Sequence, residues 1–152
     1  MAPVTKEFTR AQFGRVASKY RKSVDHADVE DLDLLFSALD LSAGQWVLDV
    51  ATGGGHTAAA LAGRGVRVVA SDLTPTMLSE ARKQLARAGE ADVACCAADA
   101  EMLPFADTVF DRVTCRIAPH HFPDVRTAVA EMARVTKPGG RVGIIDSVVP
   151  GD

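Results

Sequence analysis

No apolar run in this 152-residue sequence approaches the roughly 18 residues that cross a bilayer as a helix. Residues 1–10 lack the hydrophobic stretch of a secretory signal. Cysteine is scarce: Cys95, Cys96 and Cys115 are odd in number and two are neighbours, a poor disulfide framework. There is no CxxC, and the four histidines hold no metal-ligand spacing with the cysteines. Basic excess is lacking too. The formal net charge is −3, whereas nucleic-acid binding needs a concentrated basic surface. The short basic stretch Lys19-Tyr20-Arg21-Lys22 reads as a solvated helix face. No membrane span, metal or nucleic-acid partner is therefore expected, and the thiols fit a reducing cytoplasm.

What is present is an ordinary globular composition, 47% hydrophobic and 24% charged, in a chain long enough for one domain with one core. The order of elements carries the information. Residues 8–22 and 28–39 each place apolar side chains at helical spacing, the second through Val29, Leu32, Leu35, Phe36 and Leu39. They form an expected helical leader over about 1–42 of a single 1–152 domain. Residues 46–50 are then a short apolar run, as in a strand buried on both faces. An alanine-rich helix over 57–61, a strand over 66–70 and a helix opening at Thr74-Pro75 follow, with Thr74 as expected N-cap. Strands are predicted over 92–97, 109–115 and 141–149. Phe122, Val125, Val129, Met132 and Val135 mark a helix that Lys137-Pro138-Gly139-Gly140 should end. Alternating strands and helices predict a doubly wound, Rossmann-like α/β parallel sheet of order 3-2-1-4-5.

Ligands of such sheets bind outside the carboxyl ends of the strands, beside strand 1. The loop there runs Asp49-Val50-Ala51-Thr52-Gly53-Gly54-Gly55. Its glycines allow close backbone approach, and the next helix turns free N–H groups toward a ligand. Asp72 stands directly after strand 2, where an acid can accept from ribose hydroxyls, and Asp99 follows strand 3. Each acid alone reads as a surface residue. Three at adjacent strand ends on one rim read as a site.

Five blocks carry a family resemblance: VLDVATGGGHTA (47–58), ASDLTPTML (70–78), AADAEMLPF (97–105), FDRVTCRIAPHHF (110–122) and KPGGRVGIIDSVVP (137–150). In order, they resemble the blocks of class I S-adenosylmethionine-dependent methyltransferases, most closely the ubiquinone/menaquinone-biosynthesis type. The FGRVASKY stretch is similar to that group's leader helix. The resemblance implies S-adenosyl-L-methionine as cofactor. Asp49 and the loop Ala51, Thr52, Gly53 and Gly55 would hold its methionine end. Asp72 would take the ribose hydroxyls, Leu73 would lie on the adenine, Asp99 would accept from the adenine amino group, and the Ala100 N–H would meet the ring. Met102 would pack nearby or in the core. Arg116, in the fourth-strand block, joins the implied cofactor set. Tyr20 would close over the cofactor or anchor the leader. The family's first loop glycine is Ala51 here.

The fourth-strand block lacks the Asn/Asp-Pro-Pro-aromatic sequence of many nitrogen methyltransferases, so a small-molecule oxygen or activated carbon is the expected acceptor. His120 or His121 could take a proton, or could be structural. Two other readings stand beside this one. Gly53-x-Gly55-x-x-Ala58 with Asp72 fits the dinucleotide fingerprint of an NAD(P)-dependent reductase, although Asp49 would repel a pyrophosphate and Asp99 would have no role. The family's sixth and seventh strands are not present, so a fragment or a binding module without catalysis is the other reading. An open fifth strand would then favour a homodimer paired along it.

Overall fold

The computed structural model describes residues 5–7, 10 and 27–147. Tyr20, most of the expected 8–22 helix, and Val148 and Val149 lie outside the described residues. In chain order the elements are α1 (Ala27–Leu39), β1 (Trp46–Val50), α2 (His56–Ala62), β2 (Arg67–Asp72), α3 (Pro75–Arg87), β3 (Ala94–Ala97), β4 (Phe110–Arg116), a 3-10 turn (Pro119–His121), α4 (Val125–Val135) and β5 (Thr136–Ile145). The five strands form one parallel sheet of order β3-β2-β1-β4-β5. This is the order expected from the alternation of strands and helices.

Alternate side chains of β1 point to opposite faces, and helices cover both. Val47 joins Leu35, Phe36, Leu39, Leu61, Val68 and Leu85 in one buried cluster. Leu48 and Val50 join Phe110, Val113, Met132 and Val135 in the other. A helix-period stripe thus meets a continuous apolar strand on each side. The α1 stripe is narrower than predicted: Leu35, Phe36 and Leu39 are buried, but Val29 is 54% exposed. Gly143 lets α1 approach β5 closely, since a Cβ there would lie 2.6 Å from Leu35 Cδ1.

Two local expectations need correction. Lys137-Pro138-Gly139-Gly140 does not end the helix. α4 stops at Val135, and the four residues lie inside β5 as an irregularity, with the register passing from Phe110↔Thr136 to Arg112↔Arg141. Pro138 has no N–H for a ladder, and Gly139 sits at φ 76°, so the segment bulges while pairing resumes beyond it. Thr74 does occupy the N-cap position of α3, but its side chain makes no cap hydrogen bond. Its backbone N–H instead donates to Asp72 Oδ1 at 2.9 Å. At α4 the cap is Asp124, which accepts from the Thr127 N–H at 3.1 Å. Among the described residues no helix is long and apolar enough to cross a membrane.

Candidate functional site

A cavity of about 440 Å³ opens at the carboxyl ends of the strands, lined by residues that include Asp49, Asp72, Asp99 and Arg116. Its volume suits a drug-sized ligand. The three acids of the sequence pattern do converge on it.

Asp49 is 1% exposed and has both carboxylate oxygens engaged. Thr52 Oγ1 donates to Oδ2 and Thr114 Oγ1 to Oδ1, each at 2.7 Å. Burial pushes the Asp49 carboxyl up to about 6, against the pull of the two hydroxyl donors. The residue thus ties the loop after β1 to β4.

The loop itself turns on positive φ. Ala51 sits at φ 55° and Gly53 at φ 53°. The left-handed region disfavours a side chain, so Ala51 carries strain. The Gly53 N–H donates to Asp72 Oδ2 at 2.9 Å. Gly55 behaves differently from expectation. It does not line the cavity. At φ 83°, a Cβ there would lie 2.9 Å from Ala81 Cα, so its work is to let α2 pack on α3.

Asp72 is the last residue of β2 rather than the first beyond it. Its two oxygens accept from the Thr74 and Gly53 N–H groups, and burial raises its pKa against those donors. Leu73 and Thr74 line the cavity beside it. Asp99 Oδ1 accepts from the Glu101 N–H at 2.9 Å, and Oδ2 meets Lys6 Nζ at 2.6 Å. Ala100 lines the cavity between them. Met102 does neither of the things expected of it: it is 74% exposed and outside the cavity lining.

The end of β4 supplies the opposite wall. Arg116, Ile117, Ala118, His121, Phe122 and Pro123 line it. Ile117 stands at φ 51°, a genuine outlier for a β-branched residue, and its N–H donates to Ile145 O at 2.6 Å. The two histidines separate here. His121 faces the cavity, whereas His120 lies outside its lining. His120 Nδ1 is 2.6 Å from Asp146 Oδ1, and its backbone N–H donates to Asp146 Oδ2 at 2.8 Å. The two rings lie 3.9 Å apart, centroid to centroid. Burial, then the neighbouring His120, lowers the His121 pKa.

Thr114, Lys6, Glu101 and Asp146 were not singled out by sequence. Thr114 and Lys6 carry no local signal, because they reach the site across the sheet or from the leader. Asp146 follows the end of β5, whereas the sequence placed it inside a strand over 141–149, so the strand-end rule that found the other acids passed it over. Among the described residues no group of three or more His, Cys, Asp or Glu side chains could hold a metal.

A family profile described as methyltransferase domain matches residues 48–144. The chain is 39% identical over 140 residues to the uncharacterized methyltransferase YcgJ of Bacillus subtilis, covering 92% of this chain and 55% of that protein. It is 40% identical over 110 residues to demethylmenaquinone methyltransferase of Thermobifida fusca, covering 72% of this chain and 47% of that one. The crystal structure of YcgJ superposes with a TM-score of 0.75 at 40% identity, over 81% of this chain and 53% of the other. The chain spans about half the length of the relatives it matches.

Proposed function

The chain belongs to the class I S-adenosylmethionine-dependent methyltransferases, and from that premise we propose that its cavity binds S-adenosyl-L-methionine for methyl transfer to an oxygen or carbon of a small molecule. The carrying observation is the convergence of Asp49, Asp72 and Asp99 on one cavity beside the Gly53 turn. A carboxylate oxygen has two lone pairs, so Asp72 keeps acceptor capacity for ribose hydroxyls after taking the Gly53 and Thr74 N–H groups. Asp99 and the Ala100 N–H suit the adenine edge, with Leu73 against the ring. Ala51, Thr52, Gly53 and Arg116 surround the methionine end. Asp49 acts there through Thr52, since a buried carboxylate with two hydroxyl partners serves best as a brace for the loop. Gly55 contributes through helix packing.

When bound, the cofactor supplies an electrophilic sulfonium methyl. The protein's task is to align the acceptor and exclude water. On the β4 wall, His121 is the proposed proton acceptor, because it faces the cavity and its lowered pKa keeps it neutral. The His120–Asp146 pair supports a second reading. A carboxylate on Nδ1 fixes the tautomer and frees Nε2 as base, which is how His120 itself would act. The apolar Ile117, Ala118, Phe122 and Pro123 favour a small-molecule acceptor over nucleic acid. A cytoplasmic setting is proposed from the thiols.

The dinucleotide reading weakens, because the buried Asp49 carboxylate braces the turn where a pyrophosphate would sit. Calorimetry with S-adenosylhomocysteine and with NADH tests this. Binding of NADH alone would overturn the proposal. Methyl transfer against a metabolite panel then separates an enzyme from a binding module. Pairing of two copies along the outer edge of β5, where the described sheet ends, is the proposed mode of self-association. Sedimentation at micromolar concentration showing a clean monomer would remove it.

A further inference from the structure

We propose that Lys6 is a latch on the adenine end of the cavity, competing with the cofactor for Asp99. The inference rests on the assignment of Asp99 to cofactor binding. Lys6 Nζ lies 2.6 Å from Asp99 Oδ2 and 3.0 Å from Glu101 Oε2, and the residue is itself part of the cavity lining. The other Asp99 oxygen accepts from the Glu101 N–H, so each oxygen of this carboxylate already holds one donor. The ammonium, itself part of the cavity lining, would compete with a ligand donor for Oδ2, and a lysine ammonium has no acceptor to offer that donor.

The same short segment is tied a second time. Arg10 Nε donates to the Leu73 carbonyl at 3.3 Å, and Leu73 also lines the cavity. Residues 6 and 10 are thus both held at the end of the site, one to the loop after β3 and one to the loop after β2. Glu101 extends the connection, since its Oε1 accepts from the Asp124 N–H at the start of α4. Both latch partners are partly exposed, with side-chain exposures of 36% for Lys6 and 27% for Asp99. Such a pair is weak and screened by salt. It suits a closure that the cofactor can open.

The test is calorimetry with S-adenosylhomocysteine on the full chain. Lys6→Met should tighten binding by about 1.5- to 5-fold at low salt, the span expected of an exposed ion pair. Lys6→Arg should restore the wild-type value. In the wild type, raising the salt from about 0.05 to 0.5 M should tighten binding, and in Lys6→Met it should not. Equal or weaker binding by Lys6→Met overturns the latch. Asp99→Asn keeps the two failures apart. If Asp99→Asn leaves affinity unchanged in the Lys6→Met background, where no latch remains, the Asp99 assignment itself falls. If Asp99→Asn weakens binding while Lys6→Met has no effect, the assignment stands and the latch falls.

Discussion

Thr114 donates its hydroxyl hydrogen to Asp49 Oδ1 at 2.7 Å, and the two residues are register partners across β1 and β4. Both are buried, at 0% and 1% exposure. The bond anchors the innermost acid of the cavity to the strand that carries the opposite wall. A charged group is thereby kept at the centre of the sheet, and its cost is visible in its raised pKa.

That cost predicts a pH dependence of stability. The folded Asp49 pKa, about 6, lies above the ordinary 3.8, so the folded chain holds this proton more tightly than the unfolded chain. Its contribution is fully present below about pH 4, falls as pH rises through 6, and is lost above. Asp49→Asn removes the titration. Relative to wild type, the variant should gain on the order of 3 kcal/mol between pH 4 and 7. Urea midpoints at four pH values check this, and a constant difference across the range would contradict it.

Ala51 sits at φ 55° without the freedom of glycine. Ala51→Gly should relieve the left-handed strain, partly offset by greater entropy of the unfolded chain. A net stabilisation of about 0.5–1 kcal/mol is expected. Thermal and urea unfolding read it, and destabilisation would show that the alanine methyl makes a packing contribution larger than its strain.

Gly55→Ala should do the opposite. Its new Cβ would press on Ala81 Cα at 2.9 Å and adopt φ 83°. Overpacking plus strain should destabilise the chain by about 2–4 kcal/mol. Ala81→Gly in the same chain should recover little, because the Cα and carbonyl of residue 81 remain in the way. Full recovery would refute the backbone origin of the clash.

The β4 wall predicts a rate profile once an acceptor is in hand. Because the His121 pKa is lowered, the neutral base should predominate at neutral pH. The methyl-transfer rate should rise with pH through a midpoint below the usual histidine value and then stay flat. His121→Asn should cut the rate about 10²- to 10⁴-fold with little change in cofactor affinity. If His120→Asn alone produces that loss, the Asp146-oriented histidine is the base instead.

The linear sequence determined the architecture and the address of the candidate cavity. Short apolar runs such as residues 46–50 specify strands buried on both faces, and helix-period stripes between them leave a parallel sheet as the solution. The acids at Asp49, Asp72 and Asp99 were legible because strand ends are local features, and the chain order of the strands puts those ends on one rim. Tertiary structure decided what each residue does there. Gly55 belongs to a helix contact and Met102 to the surface, because a loop residue's direction depends on the element packed against it. The two adjacent histidines part company because Asp146, twenty-six positions from His120, hydrogen-bonds the His120 ring while His121 lines the cavity. Lys6 reaches Asp99 from the far end of the chain. Such pairings join residues distant in sequence, and no local periodicity records which distant groups folding will place within hydrogen-bond reach.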